Sequence, residues 1–332
     1  MKFIKLMNNY IEFLDNKNFN YNVNKLKIYN KEKDKNKCIF SSENKNKDLD
    51  TVLNKLYLDF LEADKDLMKN KKKGLFKTEI KNINYIKDIP KPEELLESQF
   101  VTNSAIKKIH NESNFYIKYN FSINQRSVTV NFITFNEDIG FHIEKYNNYI
   151  ENIYIWFYIA SQHAFNYCSK NLHIYIYLTD LKRMLPQSNV HIIGADNVNG
   201  GVSNICVKNS ISEIVIYRKE EWFKVLIHET FHNYGLDFSD LQIDSVKNSF
   251  KNLFPIKSDF EVFEAYTEFW GEFLNLCFIS YITLKENDEV DNQEKFLQLL
   301  RELMYIEKSY SMLQCVKILN HMGLEYEDLF TI

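Results

Sequence analysis

Apolar and polar residues alternate from Phe115 to Phe121 and again from Ser127 to Phe135, on either side of Asn124-Gln125-Arg126. A period of two turns one face of a strand toward a core, and the polar trio between the runs makes them a β-hairpin. Leu172 to Leu178 is a further strand, with His173, Tyr175 and Tyr177 alternating against Ile174 and Ile176, and Glu213 to Tyr217 is another. Between them the period lengthens. Glu144 to Tyr167 is aromatic-rich, free of Gly and Pro, and too long for a strand, so it predicts a helix. Earlier, Val52, Leu53, Leu56, Leu58, Phe60 and Leu61 mark a helix from about Leu49 to Met68, and a short strand is expected near Tyr85. The chain turns helical once more from Glu221, and beyond Phe260 it is helical with breaks near Asn287 and Gly323. Strands first and helices afterwards give an α+β class, a mixed sheet followed by a helical subdomain.

Asp88-Ile89-Pro90-Lys91-Pro92-Glu93 is the strongest punctuation, because each proline also pushes its predecessor out of helix. A domain boundary is therefore expected between this segment and Asn111. It leaves residues 1–110 as a Lys/Asn-rich region without an assigned role. Residues 111–332 form a second domain, with the sheet in 111–240 and helices in 241–332.

Composition narrows the function classes. Hydrophobic residues make up 45% and charged residues 26% of 332 positions, a globular balance. Only 8 Gly and 4 Pro argue against collagen-like chains and Gly-rich phosphate loops. The 39 Asn and 37 Lys against four Arg (Arg126, Arg183, Arg218 and Arg301) are the imprint of an AT-rich genome. Through Glu112 there are 23 Lys and 17 acidic residues, a balance of +6; the remainder has 18 basic and 28 acidic residues, a balance of −10. An Arg-free basic arm before an acidic body is unlike a nucleic-acid binder. Five widely spaced cysteines without a Cys-x-x-Cys pair predict free thiols in a reducing compartment. With no signal-like N-terminus and no long apolar run, an intracellular, cytoplasmic chain without a membrane segment is expected.

The chemistry is concentrated in Val225-Leu226-Ile227-His228-Glu229-Thr230-Phe231-His232. Two His four apart on a helix share one face and can chelate one Zn²⁺, while the Glu beside the first can serve a metal-associated water as general base. The preceding apolar trio suits a helix buried on one side. The alternative is a core helix whose two His happen to face inward. Downstream, Glu264 and Glu268 in Phe263-Glu264-Ala265-Tyr266-Thr267-Glu268 lie one helical turn apart, a spacing equally common on solvated helix faces.

From about Phe115 to Phe273 the chain resembles the zincin superfamily of zinc metallopeptidases, and the His-Glu-x-x-His core carries most of that likeness. The metzincin branch is a poor fit: Gly235 stands where that pattern has its glycine, but Phe238 takes the place of its third ligand. The gluzincin branch draws a Glu from a following helix, which implies a single Zn²⁺ held by His228, His232 and Glu264, with Glu229 as general base. Glu268 and Asp237 would orient the ligands, and Glu268, Asp237, Asp240 and Glu261 remain alternative third ligands. The resemblance also implies that Gly200, Gly201, Val202, Ser203 and Asn204 form an edge strand for a peptide or protein substrate; an ordinary turn is the competing reading. Tyr234, Tyr266, Tyr310 and His321 are candidate donors to the substrate carbonyl. A chain that keeps this arrangement only as a structural or interaction module is the rival to peptide-bond hydrolysis.

Overall fold

The structure is a computed structural model that describes residues 42–135, 139–208, 211–239, 241, 243–255 and 259–331. Leu53–Ile332 form one compact unit, and of Met1–Val52 the structure describes the start of the first helix. The central element is a six-stranded mixed sheet in the order β1-β2-β3-β4-β6-β5. Its strands are β1 (Lys77–Asn82), β2 (Ser113–Ile123), β3 (Arg126–Phe135), β4 (Asn171–Tyr177), β5 (Gly201–Ser203) and β6 (Ile211–Ile216). β2 runs antiparallel to both β1 and β3, β3, β4 and β6 run parallel, and β5 is antiparallel to β6 at the edge.

The hairpin falls where alternation places it. Asn124 and Gln125 both take positive φ (43° and 64°), the left-handed pair that closes a two-residue turn with the twist of its strands. The sheet is covered on both faces. Tyr175, Tyr177, Val215 and Tyr217 pack with Ile89, Leu96, Val101, Ala105 and Ile109, the last two from helix α2 (Asn103–Glu112). On the other face lies α3 (Ile139–Ser161), whose Trp156 and Phe157 stack on Phe231 and Tyr234 of α5 (Trp222–Tyr234). Two-faced burial explains why β4 and β6 are apolar almost throughout.

Helix α1 (Ser42–Lys71) buries Leu53, Tyr57, Phe60, Ala63 and Leu67 along one stripe. Phe60 meets Phe278 and Tyr281 of α7 (Val262–Glu286) and Phe296 of α8 (Gln293–Met322). A four-residue α4 (Ala195–Val198) precedes β5, and an exposed α6 (Asp244–Leu253) precedes α7. The helices end at Asn287 and Gly323 as their sequence breaks predict.

Three expectations are corrected. The segment 88–111 is not a boundary within the compact unit, because β1 pairs with β2 and the proline-bearing loop packs on the sheet; the two prolines shape a covering loop rather than a linker. The early strand is Lys77–Asn82, with a 3-10 turn at Ile86–Asp88 beside the expected Tyr85. Cys168 and Cys206 are joined in a disulfide, so the free-thiol expectation fails for that pair, and cysteine usage no longer argues for a reducing compartment. Cys277 and Cys315 are free, and Cys38 lies outside the described residues. With its ends 38 positions apart in sequence, the bond is worth about 4 kcal/mol in the chain-entropy account. Among the described residues, no helix is long and apolar enough to cross a membrane.

Candidate metal centre

Helix α5 carries the His-Glu-x-x-His segment out of the sheet. It begins at Glu221, held at φ 56°, and ends at Gly235 at φ 63°, a left-handed cap for which glycine is suited. Leu226, Ile227 and Thr230 are fully buried, so the helix is fixed on its sheet side while His228 and His232 turn toward α7. The two helices approach closely at Gly271, where a side-chain Cβ would stand 3.5 Å from the Cβ of His228. That closeness brings the first turns of α7, with Glu264 and Glu268, against both imidazoles.

The Nε2 atoms of His228 and His232 are 3.2 Å apart, and Glu264 Oε2 lies 3.4 and 3.6 Å from them. A tetrahedral zinc ion with bonds of about 2.0–2.1 Å spaces its ligand atoms about 3.3 Å apart, so the donor set fits that ion without rearrangement. The outward nitrogens are equally determined. His228 Nδ1 donates to Glu268 Oε2 at 2.9 Å, and His232 Nδ1 donates to Asp237 Oδ2 at 2.5 Å. With one proton held at Nδ1 by a carboxylate, Nε2 is the nitrogen of each ring that faces the shared point and offers a lone pair there once its own proton has left. Glu268 is held in turn by Lys224, whose Nζ donates to Oε1 at 2.5 Å. Asp237 accepts from the hydroxyl of Ser239 at 2.9 Å.

In the metal-free chain the charges are mutually stabilised. Burial opposes the imidazolium of His228, but Glu264, Glu268 and the Glu229 charge outweigh it and hold its pKa near 9. His232 behaves alike, with Asp237 and Glu264 carrying it to about 10. Hydrogen bonds from the two His bring Glu264 down to about 2; Glu268 also falls to about 2, His228 and Lys224 overcoming its burial. The sign of the linkage follows. The His contribution to metal-free stability is complete below about pH 6.5 and is lost as pH rises through about 9–10. The carboxylate contribution is present above about pH 4.5 and is lost as pH falls through about 2. A metal ion must displace both imidazolium protons, so apparent zinc affinity should climb steeply between pH 6 and 8, with roughly two protons released per ion. Chelator competition across that range, with calorimetry in buffers of different ionisation enthalpy, measures both; affinity independent of pH would contradict the arrangement.

Glu229 faces strand β5. It is 8% exposed, and burial raises its carboxyl pKa against the lowering pull of His228, His232 and Ser203. The Ser203 hydroxyl donates to Glu229 Oε2 at 2.7 Å, fixing the carboxylate to strand β5. Gly201, two residues earlier, is required by closeness: a Cβ there would sit 2.8 Å from Val225 Cγ1, 3.0 Å from the Val215 carbonyl and 3.1 Å from Glu229 Oε1. Upstream, the buried Arg218 donates to the carbonyls of Asp196 and Asn199, both at 2.8 Å, and so sets where β5 begins. Downstream, the Cys206 amide donates to the His232 carbonyl at 3.2 Å, and the disulfide anchors that contact to the start of β4. Between β5, α5 and α7 lies a cleft of about 710 Å³. Ser203→Ala should leave zinc content unchanged but free the Glu229 carboxylate to rotate. Metal content together with side-chain relaxation of Glu229 by NMR checks both; a lost ion or an unchanged carboxylate would contradict the arrangement.

His228, Glu229, His232, Glu264 and Glu268 all line the cleft, with Gly200, Gly201, Val202 and Ser203 on the opposite wall. Asn204 turns away, its side chain accepting from the Glu213 amide. Glu261 pairs with Lys247 at 3.0 Å, and Asp240 lies outside the described residues. None of the four donor candidates lines the cleft. Tyr234 is fully buried against Phe157 and Arg126, Tyr266 packs on Phe231, Phe238 and Trp270, and Tyr310 and His321 belong to α8. Helical geometry explains the first two: a residue two beyond a ligand points about 200° away from it. Sequence reasoning missed Lys224 and Arg183, both in the cleft wall. Lys224 had a signal, standing four residues before His228 on the same helix face.

Comparison with family models, with curated proteins and with solved structures finds no match for this chain.

Proposed function

We propose that this cleft is a single-zinc hydrolase site that cleaves peptide bonds. The observation that carries the reading is the common focus of His228 Nε2, His232 Nε2 and Glu264 Oε2 at tetrahedral spacing, with Glu229 in the same cleft and its carboxylate held by the Ser203 hydroxyl. A purely structural ion needs no such carboxylate. The order of parts, an antiparallel edge strand beside the His-Glu-x-x-His helix and a Glu from the next long helix, also agrees with the gluzincin resemblance.

A bound Zn²⁺ supplies Lewis-acid polarisation of the substrate carbonyl and lowers the pKa of an attacking water toward neutrality. The protein supplies the rest. Glu229, with its pKa raised by burial, accepts a proton from the attacking water and delivers it to the leaving amine. Glu268 and Asp237 keep both imidazoles in the Nε2-ligating tautomer. β5 offers an unpaired backbone edge along the cleft, against which an extended peptide can add as a strand. Zinc-loaded full-length chain should cut a mixed peptide library, lose that activity to a chelator and regain it with zinc. A loaded chain that cuts nothing would refute the proposal.

A further inference from the structure

Four arginines serve the whole chain, and two of them show how it treats a buried guanidinium. Arg126 donates to the carbonyls of Phe165 and Cys168, and Arg218 to those of Asp196 and Asn199. Arg183 differs. Its Nε and Nη2 are shielded from solvent yet donate no hydrogen bond, and the side chain stands in the cleft wall. Its ion pair among the described residues, Glu221 Oε2, lies 3.1 Å from Nη2 without hydrogen-bond alignment and also faces Lys224 at 3.9 Å. Nη2 would be 3.3 Å from a Cβ at Gly200, so the guanidinium hangs over the start of the edge strand. The next residue, Gly201, is the one that closes on Glu229.

A guanidinium in a cleft wall with no aligned acceptor on its Nε–Nη2 edge, and with the shared, part-exposed Glu221 as its ion pair, is matched by a planar carboxylate, which can take both donors in parallel. We infer that Arg183 selects substrates by a carboxylate, placing a peptide so that an acidic side chain or its terminal carboxylate lies over Gly200. This rests on the cleft being a peptide site. Arg183 is a specificity residue and takes no part in proton transfer.

The test uses zinc-loaded Glu229→Gln chain, which should bind peptide without turnover, and three fluorescein-labelled mixed-sequence pools. One pool is neutral and C-terminally amidated, one amidated with Asp or Glu, and one neutral with a free C-terminus. Anisotropy should show one carboxylate-bearing pool bound at least about tenfold more tightly than the neutral amide, and which pool it is identifies the source. Adding Arg183→Gln should erase that preference; Arg183→Lys, which keeps charge but not the fork, should retain part of it. Equal binding of all pools, or a preference that survives Arg183→Gln, would overturn the inference without touching hydrolysis. A retained preference in a wild-type chain that cleaves nothing would overturn hydrolysis alone.

Discussion

Glu229→Gln should reduce peptide cleavage by about 10²–10⁴-fold while the chain still holds one zinc ion. The substitution is nearly isosteric and keeps an acceptor for the Ser203 hydroxyl, so β5 and α5 should stay in register. It removes only the ability to take and return a proton. Burial strengthens the expectation, because at 8% exposure no bulk water or buffer base has free access to replace the carboxylate. Turnover measured beside metal content separates this loss from a folding or metal defect. Retained activity would assign the base elsewhere.

Glu264→Ala should release the metal. In the proposed site Glu264 would supply the one anionic ligand, and its neighbours Glu268 and Asp237 are already engaged with Nδ1 atoms and cannot rotate in without freeing an imidazole. Removing a group that merely orients a ligand weakens binding by about 10–100-fold. Loss of a ligand should exceed that and leave the chain empty after exhaustive dialysis. The contrast with Glu268→Ala is the informative part, because the two carboxylates are one turn apart yet should rank unequally. Metal content by mass spectrometry reads both variants, and equal retention would move the third ligand to another residue.

Much of this site was legible in the sequence because it depends on local period. Four-residue spacing put His228 and His232 on one face, the same spacing paired Glu264 with Glu268, and alternation found the hairpin at Asn124-Gln125. What escaped depends on contacts distant along the chain. The Cys168–Cys206 bond joins residues with no shared local pattern, and only the parallel β3, β4 and β6 arrangement brings the beginning of β4 beside the loop after β5. The prolines near Ile89 mark a loop, but whether a loop links or covers is set by the apolar surface it meets. Tyr234 and Tyr266 were plausible by nearness in sequence, whereas direction around the helix puts them in the packing. Arg183 gave no motif at all; its unpaired donors are visible only once the wall around them is built.

Zinc stoichiometry of the purified 332-residue chain is the most direct measurement. One ion per wild-type chain is expected, removable by chelator and absent when His228 and His232 are both replaced by alanine. A wild-type chain that refuses zinc, or a double variant that holds it as well as wild type, would contradict the metal centre and everything built on it.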